Sequence, residues 1–190
     1  MNQPITAFTD SELYVLLCDE KKVRDEAFKE IYCRYNGRIF LYCSKILGRT
    51  EQSDDAFQET FSLFLQSARA DREMINLPAY LLRIARNVCL RMKQRDSYLI
   101  VSEFDESIHA PAEQFNQLEN EELARIMGMA LELLPDDQRE ALVLQAYQGM
   151  SYEEIGETMN VPISTVRNWV VRAKRKVRES LTPYWEETRK

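Results

Sequence analysis

Histidine, glycine and metal-spaced cysteine are scarce in this chain. Its one histidine, His109, among 190 residues is remote in sequence from all four cysteines, Cys18, Cys33, Cys43 and Cys89, and no two of these form a CxxC pair. A zinc site is therefore not expected. Cys33 and Cys43 fall among apolar helical positions and are expected to be reduced, buried thiols used as small hydrophobes. With no glycine-rich phosphate loop and no nucleophile beside a base, the chain is not expected to be an enzyme, nor to hold a metal, cofactor or small-molecule substrate. Five glycines and six prolines are too few for a turn-rich β architecture, so long helices are expected. No apolar run approaches the roughly 18 residues that span a bilayer, and the opening MNQPITAFTDSEL has no basic and apolar signal segments. The expected location is the cytoplasm, with no membrane partner.

What is present is a segregated charge. The formal net charge is -6, yet residues 167–178 (RNWVVRAKRKVR) carry six basic side chains and no acidic one. A local charge so opposed to the global one points to a polyanion-binding surface. A second basic stretch, residues 80–95, holds Arg83, Arg86, Arg91, Lys93 and Arg95 without an acid. From Asp96 to Glu122 the balance reverses, with eight acids and no Lys or Arg.

Apolar residues divide the chain further. Phe28, Ile31, Tyr32, Tyr35, Ile39, Cys43 and Ile46 recur at three- and four-residue steps, predicting an amphipathic helix over 27–47. A second helix runs through Phe57, Phe61, Phe64, Leu65 and Ala68, with Asp54, Asp55, Gln58, Glu59 and Ser62 opposite. Pro78 suits the first turn of a third helix, because its missing N–H is not needed there. The expected architecture is all-α: a four-helix domain over 1–97, an acidic linker over 98–120 containing Pro111, and a smaller helical domain over 121–190.

The C-terminal domain carries the most specific pattern. Ser151 and Glu154 have capping-box spacing, which starts a helix near Ser151. Gly156 lies four residues before Asn160: the small residue lets a second helix approach, and Asn tolerates the left-handed conformation of a tight turn. Pro162 stops the first helix and opens the next. There Val166, Val170, Ala173, Val177 and Leu181 keep one apolar seam. That leaves Ser164, Thr165, Arg167, Asn168 and Arg172 to face DNA, as in a helix-turn-helix whose second helix enters the major groove. Arg can donate two bonds to guanine and Asn can pair with adenine's edge, while Lys174, Arg175, Lys176 and Arg178 suit phosphates. The alternative is a solvated basic helix whose cations complement the helix dipole.

The block LPDDQREALVLQAYQGMSYEEIGETMNVPISTVRNWVVRAKRKVRESL resembles the last conserved region of bacterial sigma factors of the extracytoplasmic-function family. SDDAFQETFSLFL resembles that family's core-polymerase-binding segment, and LPAYLLRIARNVCLRMKQR its promoter-melting and -10-reading helix. The resemblance covers most of residues 20–182 in family order. It implies a dissociable, non-catalytic initiation subunit, with region 2 in the first domain and region 4 in the last. It further implies that Asp54, Asp55, Gln58 and Glu59 dock on the β′ clamp helices of core RNA polymerase; the alternative is a solvated helix face.

By the same resemblance residues 68–79 capture a flipped base of the -10 element, with Asn76 in contact. Arg83, Arg86, Asn87 and Arg91 would meet the -10 strand, and Tyr80 either stacks on a base or belongs to the core. The -35 element would fall to Ser164, Thr165, Arg167, Asn168 and Arg172. Trp169 departs from the basic residue common at its position, and either reads thymine methyl groups, packs inward or meets polymerase. The helix over 134–148 would meet the β flap, and an anti-sigma factor is a further implied partner beside promoter DNA. The rival reading is a stand-alone helix-turn-helix regulator with an N-terminal sensing domain, which would bind duplex operators without polymerase.

Overall fold

The computed structural model describes residues 4–48, 51–68, 74–99 and 118–187, and among these every regular element is helical. The chain divides into two compact units, Met1–Asp105 and Glu106–Lys190. The linker expected over 98–120 lies largely outside the described residues.

The first unit is built on α2 (Lys21–Leu47), 27 residues and about 40 Å long at 1.5 Å per residue. Helices α1 (Asp10–Leu16), α3 (Glu51–Gln66) and α4 (Leu77–Leu99) pack around it. Ile31, Ile39, Cys43 and Ile46 of the expected seam are buried. Phe28 and Tyr32 instead run along the surface groove between α2 and α3, where their rings meet Phe61 at 6.2 and 4.9 Å. One thiol departs from expectation: Cys33 is exposed, as is Cys18, while Cys43 and Cys89 are buried. Cys33 lies two residues from the buried Ile31, about 200° around the helix, and so faces water.

The N-terminal segment is held by α2. Arg34 donates to Asp10 at 3.1 Å and to the carbonyls of Thr6 and Phe8, each at 3.0 Å, while its Nε donates to Glu30 at 2.8 Å. The Tyr35 hydroxyl donates to the same Asp10 carboxylate; burial and then this carboxylate push its pKa up to about 12. A capping box between Thr9 and Glu12 starts α1.

The second unit comprises α5 (Leu118–Glu132), α6 (Asp136–Ala146), α7 (Tyr152–Met159) and α8 (Ile163–Glu187). Val166, Val170, Ala173, Val177 and Leu181 of α8 are all buried, as their spacing predicts. Arg139 of α6, only 14% exposed, caps the end of α5 by donating to the carbonyls of Leu131, Glu132 and Leu134. Carbonyls at and just past a helix end lack the N–H of a following turn, so a guanidinium is well suited to them.

The turn between α7 and α8 depends on glycine. Ser151 and Glu154 exchange capping-box bonds, and these bonds hold the Glu154 carboxyl below its usual pKa. Asn160 ends α7 in the left-handed conformation, φ 56° and ψ 50°, and the Val161 N–H donates to the Gly156 carbonyl at 2.9 Å. A Cβ on Gly156 would lie 2.9 Å from the Val161 carbonyl oxygen, closer than real Cβ contacts come. Gly156→Ala is therefore expected to destabilise the second unit by about 1–3 kcal/mol. Both tryptophans, Trp169 and Trp185, belong to this unit, so fluorescence-monitored denaturation reads the loss there; an unchanged midpoint would contradict it.

Candidate nucleic-acid interface

On α8 the apolar seam determines what faces outward. Burying positions 166, 170, 173 and 177 turns Ser164, Arg167, Asn168 and Arg172 to solvent, and all four are exposed. Thr165 and Trp169 sit at the margins, half-buried, which for Trp169 favours partial inward packing. Sequence reading passed over Val171. It is 59% exposed and lies at i+7 from Ser164 and i+3 from Asn168, near the middle of the polar face. Helical phase alone would have found it.

All four cations assigned to phosphate stand on the outside of α8. Lys174, Arg175 and Arg178 are exposed, with Arg175 in a loose i,i+4 pair to Glu179 at 3.8 Å. Lys176 is different: its Nζ donates at 2.6 Å to the Leu133 carbonyl at the end of α5. It ties α8 to the α5–α6 turn and remains exposed, so this bond stands beside the phosphate role expected of Lys176. Sequence spacing had no means of showing this, since the partner is 43 residues away.

In the first unit α4 presents a stripe at four-residue steps. Arg83, Asn87 and Arg91 are exposed, opposite the buried Leu81, Ala85, Val88 and Cys89. Arg86 is half-buried and engaged within the protein. Asn76 stands at the start of α4, where its Oδ1 accepts from the Ala79 N–H at 3.0 Å. This is an N-cap bond, and it uses only the amide oxygen. Tyr80 packs within the unit, its ring 6.2 Å from Phe64 and its hydroxyl donating to Ser67 Oγ at 2.8 Å. Between the open alternatives of stacking platform and packing residue, these contacts favour packing. Residues 69–73 of the expected base-capturing segment lie outside the described residues; its far side is anchored by Ser11, whose hydroxyl donates to the Met74 carbonyl at 2.7 Å.

Helix α3 carries the acidic face. Asp54, Asp55 and Gln58 are exposed near its N-terminal half, where the helix dipole favours negative charge. Glu59 is half-buried and not free: Arg91 of α4 donates to it at 2.7 Å. Acidic face and basic stripe therefore touch at this ion pair.

The model of Sigma-70 region 2 matches residues 31–97, and that of Sigma-70, region 4 matches residues 125–177. The ECF RNA polymerase sigma factor EcfG of Rhodopseudomonas palustris is 30% identical over 139 residues, which cover 72% of this chain and 75% of that protein. The chain belongs to the extracytoplasmic-function RNA polymerase sigma factors. This sigma factor is also 28% identical over 166 residues to the ECF RNA polymerase sigma factor SigE of Mycolicibacterium smegmatis; the match covers 85% of the sigma factor but 64% of that longer relative. Among solved structures, the sigma factor RpoE of Bartonella quintana, in complex with the anti-sigma factor NepR, aligns at a TM-score of 0.69 and 25% identity, over 82% of this chain and 96% of that one. Membership sets the class of activity as promoter-directed initiation with RNA polymerase, and the stand-alone regulator is not favoured. Among the described residues no helix is long and apolar enough to cross a membrane.

The Lys176 contact is testable. Lys176→Met is expected to cost the second unit about 1 kcal/mol through the lost bond to Leu133, read by tryptophan fluorescence during denaturation. An unshifted midpoint would show that the bond to Leu133 carries no weight in the fold.

Proposed function

We propose that this sigma factor docks on core RNA polymerase through α3 and directs it to promoters by reading two DNA elements with two separate helices. The observation that carries the proposal is the pair of exposed cationic stripes, one on each compact unit, in a chain of net charge -6. Asp54, Asp55, Gln58 and Glu59 form the docking face for the β′ clamp helices, and their charge suits the polar rim of a specific interface. Arg83, Asn87 and Arg91 hold the -10 strand. Melting requires bases to leave the stack, and cationic side chains stabilise the strand so exposed.

Reading of the -35 element falls to Ser164, Thr165, Arg167, Asn168 and Arg172, with Val171 placed among them for contact with an apolar base edge such as a thymine methyl. Lys174, Arg175 and Arg178 contribute phosphate contacts, which give affinity and salt dependence without sequence information. The second unit also holds an apolar cleft lined by Met127, Leu131, Leu142, Tyr147, Val177 and Leu181, with Lys174 and Arg178 beside it. This cleft supports a protein contact in that unit, assigned here to the β flap. An anti-sigma factor is a further proposed partner, as one is bound to the Bartonella relative. The site of action is the cytoplasm and no catalysis is assigned.

Multi-round transcription in vitro from a promoter library, with purified core polymerase and with or without the protein, tests the proposal. Initiation that depends on it, with enriched -35 and -10 motifs, is expected; tight duplex binding by the protein alone without stimulation would favour the stand-alone regulator. Arg167→Ala is expected to cost about 1–3 kcal/mol at the -35 element and to relax base preference there, whereas uniform weakening on all sequences would make Arg167 a phosphate contact. The double change Asp55→Lys with Glu59→Lys is expected to abolish binding to core while preserving the helical circular dichroism; normal co-purification with polymerase would remove α3 from the docking face.

A further inference from the structure

The ion pair between Glu59 and Arg91 joins two faces to which the proposed function gives different partners. Glu59 lies on the face of α3 assigned to polymerase, and Arg91 on the stripe of α4 assigned to DNA. Arg91 Nη2 donates to Glu59 Oε1 at 2.7 Å, a well-formed contact between residues 32 apart in sequence. The side chains are 53% and 39% exposed respectively, so a competitor in solution reaches either one. A guanidinium offers the same planar set of donors to a carboxylate as to a phosphate. The Glu59 carboxylate therefore occupies the group that a DNA phosphate takes.

We infer that Glu59 is an internal phosphate mimic: in the free chain it holds Arg91 back from DNA, and docking of α3 on polymerase withdraws it and releases Arg91 to the -10 strand. The inference rests on the proposed assignment of α3 to polymerase and α4 to DNA. An exposed pair of this kind competes with an incoming phosphate by a factor of about two to five. That is weak enough for a docking partner to break. The coupling runs both ways, so a strand on Arg91 frees Glu59 for polymerase by the same factor. Glu59 is thus a positioning residue for DNA binding as well as a member of the docking face.

A double-mutant cycle on the full-length free protein tests this, using fluorescence anisotropy of a short labelled single-stranded oligonucleotide at low salt. Four proteins are compared: the unchanged chain, Glu59→Gln, Arg91→Ala and the two changes together. Glu59→Gln is expected to tighten binding about two- to fivefold, Arg91→Ala to weaken it, and Glu59→Gln to add nothing once Arg91 is gone. Equal tightening with and without Arg91 would reduce the effect to general removal of negative charge and overturn the inference. If Arg91→Ala weakens binding but Glu59→Gln does not tighten it, the inference alone falls and α4 keeps its DNA assignment. If Arg91→Ala changes nothing in either background, Arg91 is not a DNA contact, and its assignment fails together with the inference. Both side chains lie on the surface, and unchanged thermal unfolding of the variants confirms that the readings come from folded protein.

Discussion

An acidic protein that grips a polyanion must keep its cations from being neutralised by its own carboxylates. With a formal charge of -6, this chain meets that constraint mainly by helical phase, though Arg91 pairs with Glu59 and Arg175 loosely with Glu179. On α8 the buried seam at every third or fourth residue forces the remaining positions outward, and Arg167, Arg172, Lys174, Arg175 and Arg178 all emerge on the solvent side. On α4 the same logic exposes Arg83 and Arg91 opposite Leu81, Ala85 and Val88. The energy that aims these charges is hydrophobic burial on the other face, not any attraction between the charges and their surroundings.

Not every cation escapes structural use. Arg139 and Lys176 both donate to carbonyls at the C-terminal end of α5, and Arg34 gathers the N-terminal segment onto α2. Helix ends leave carbonyls unpaired, and a long cationic side chain from a neighbouring helix satisfies them while marking where the two elements meet. Arg139 and Lys176 thereby hold the end of α5 to α6 and to α8, the helix that presents the exposed cations of the second unit. The close approach at Gly156 has the same consequence for α7 and α8: with no Cβ to separate the backbones, the two helices of the turn take one arrangement.

Much of this was readable in one dimension because its physics is local. The Ser151–Glu154 box, the left-handed Asn160 and the opening of α8 after Pro162 each depend on residues within a few positions of one another. The α8 seam needs only the 3.6-residue period. Resemblance to the family placed the two regions in order, and the family models match both. Where it carried over Asn76 and the arginines as contacts and left Tyr80 open, the structure gives each a place: Asn76 caps α4, Tyr80 packs on Phe64, and Arg83, Asn87 and Arg91 share the open stripe.

The sequence by itself determined the helical class, the Ser151–Glu154 cap, the apolar faces and hence which sides of α4 and α8 are polar. Backbone hydrogen bonding and side-chain periodicity are short-range, so the order of residues suffices for them. Only the tertiary structure decided which polar groups remain available. That Cys33 faces water, that Lys176 reaches Leu133 and that Glu59 holds Arg91 follow from which helix lies against which. Each of the two pairings joins residues more than 30 positions apart, and no local pattern encodes a distance that packing alone sets.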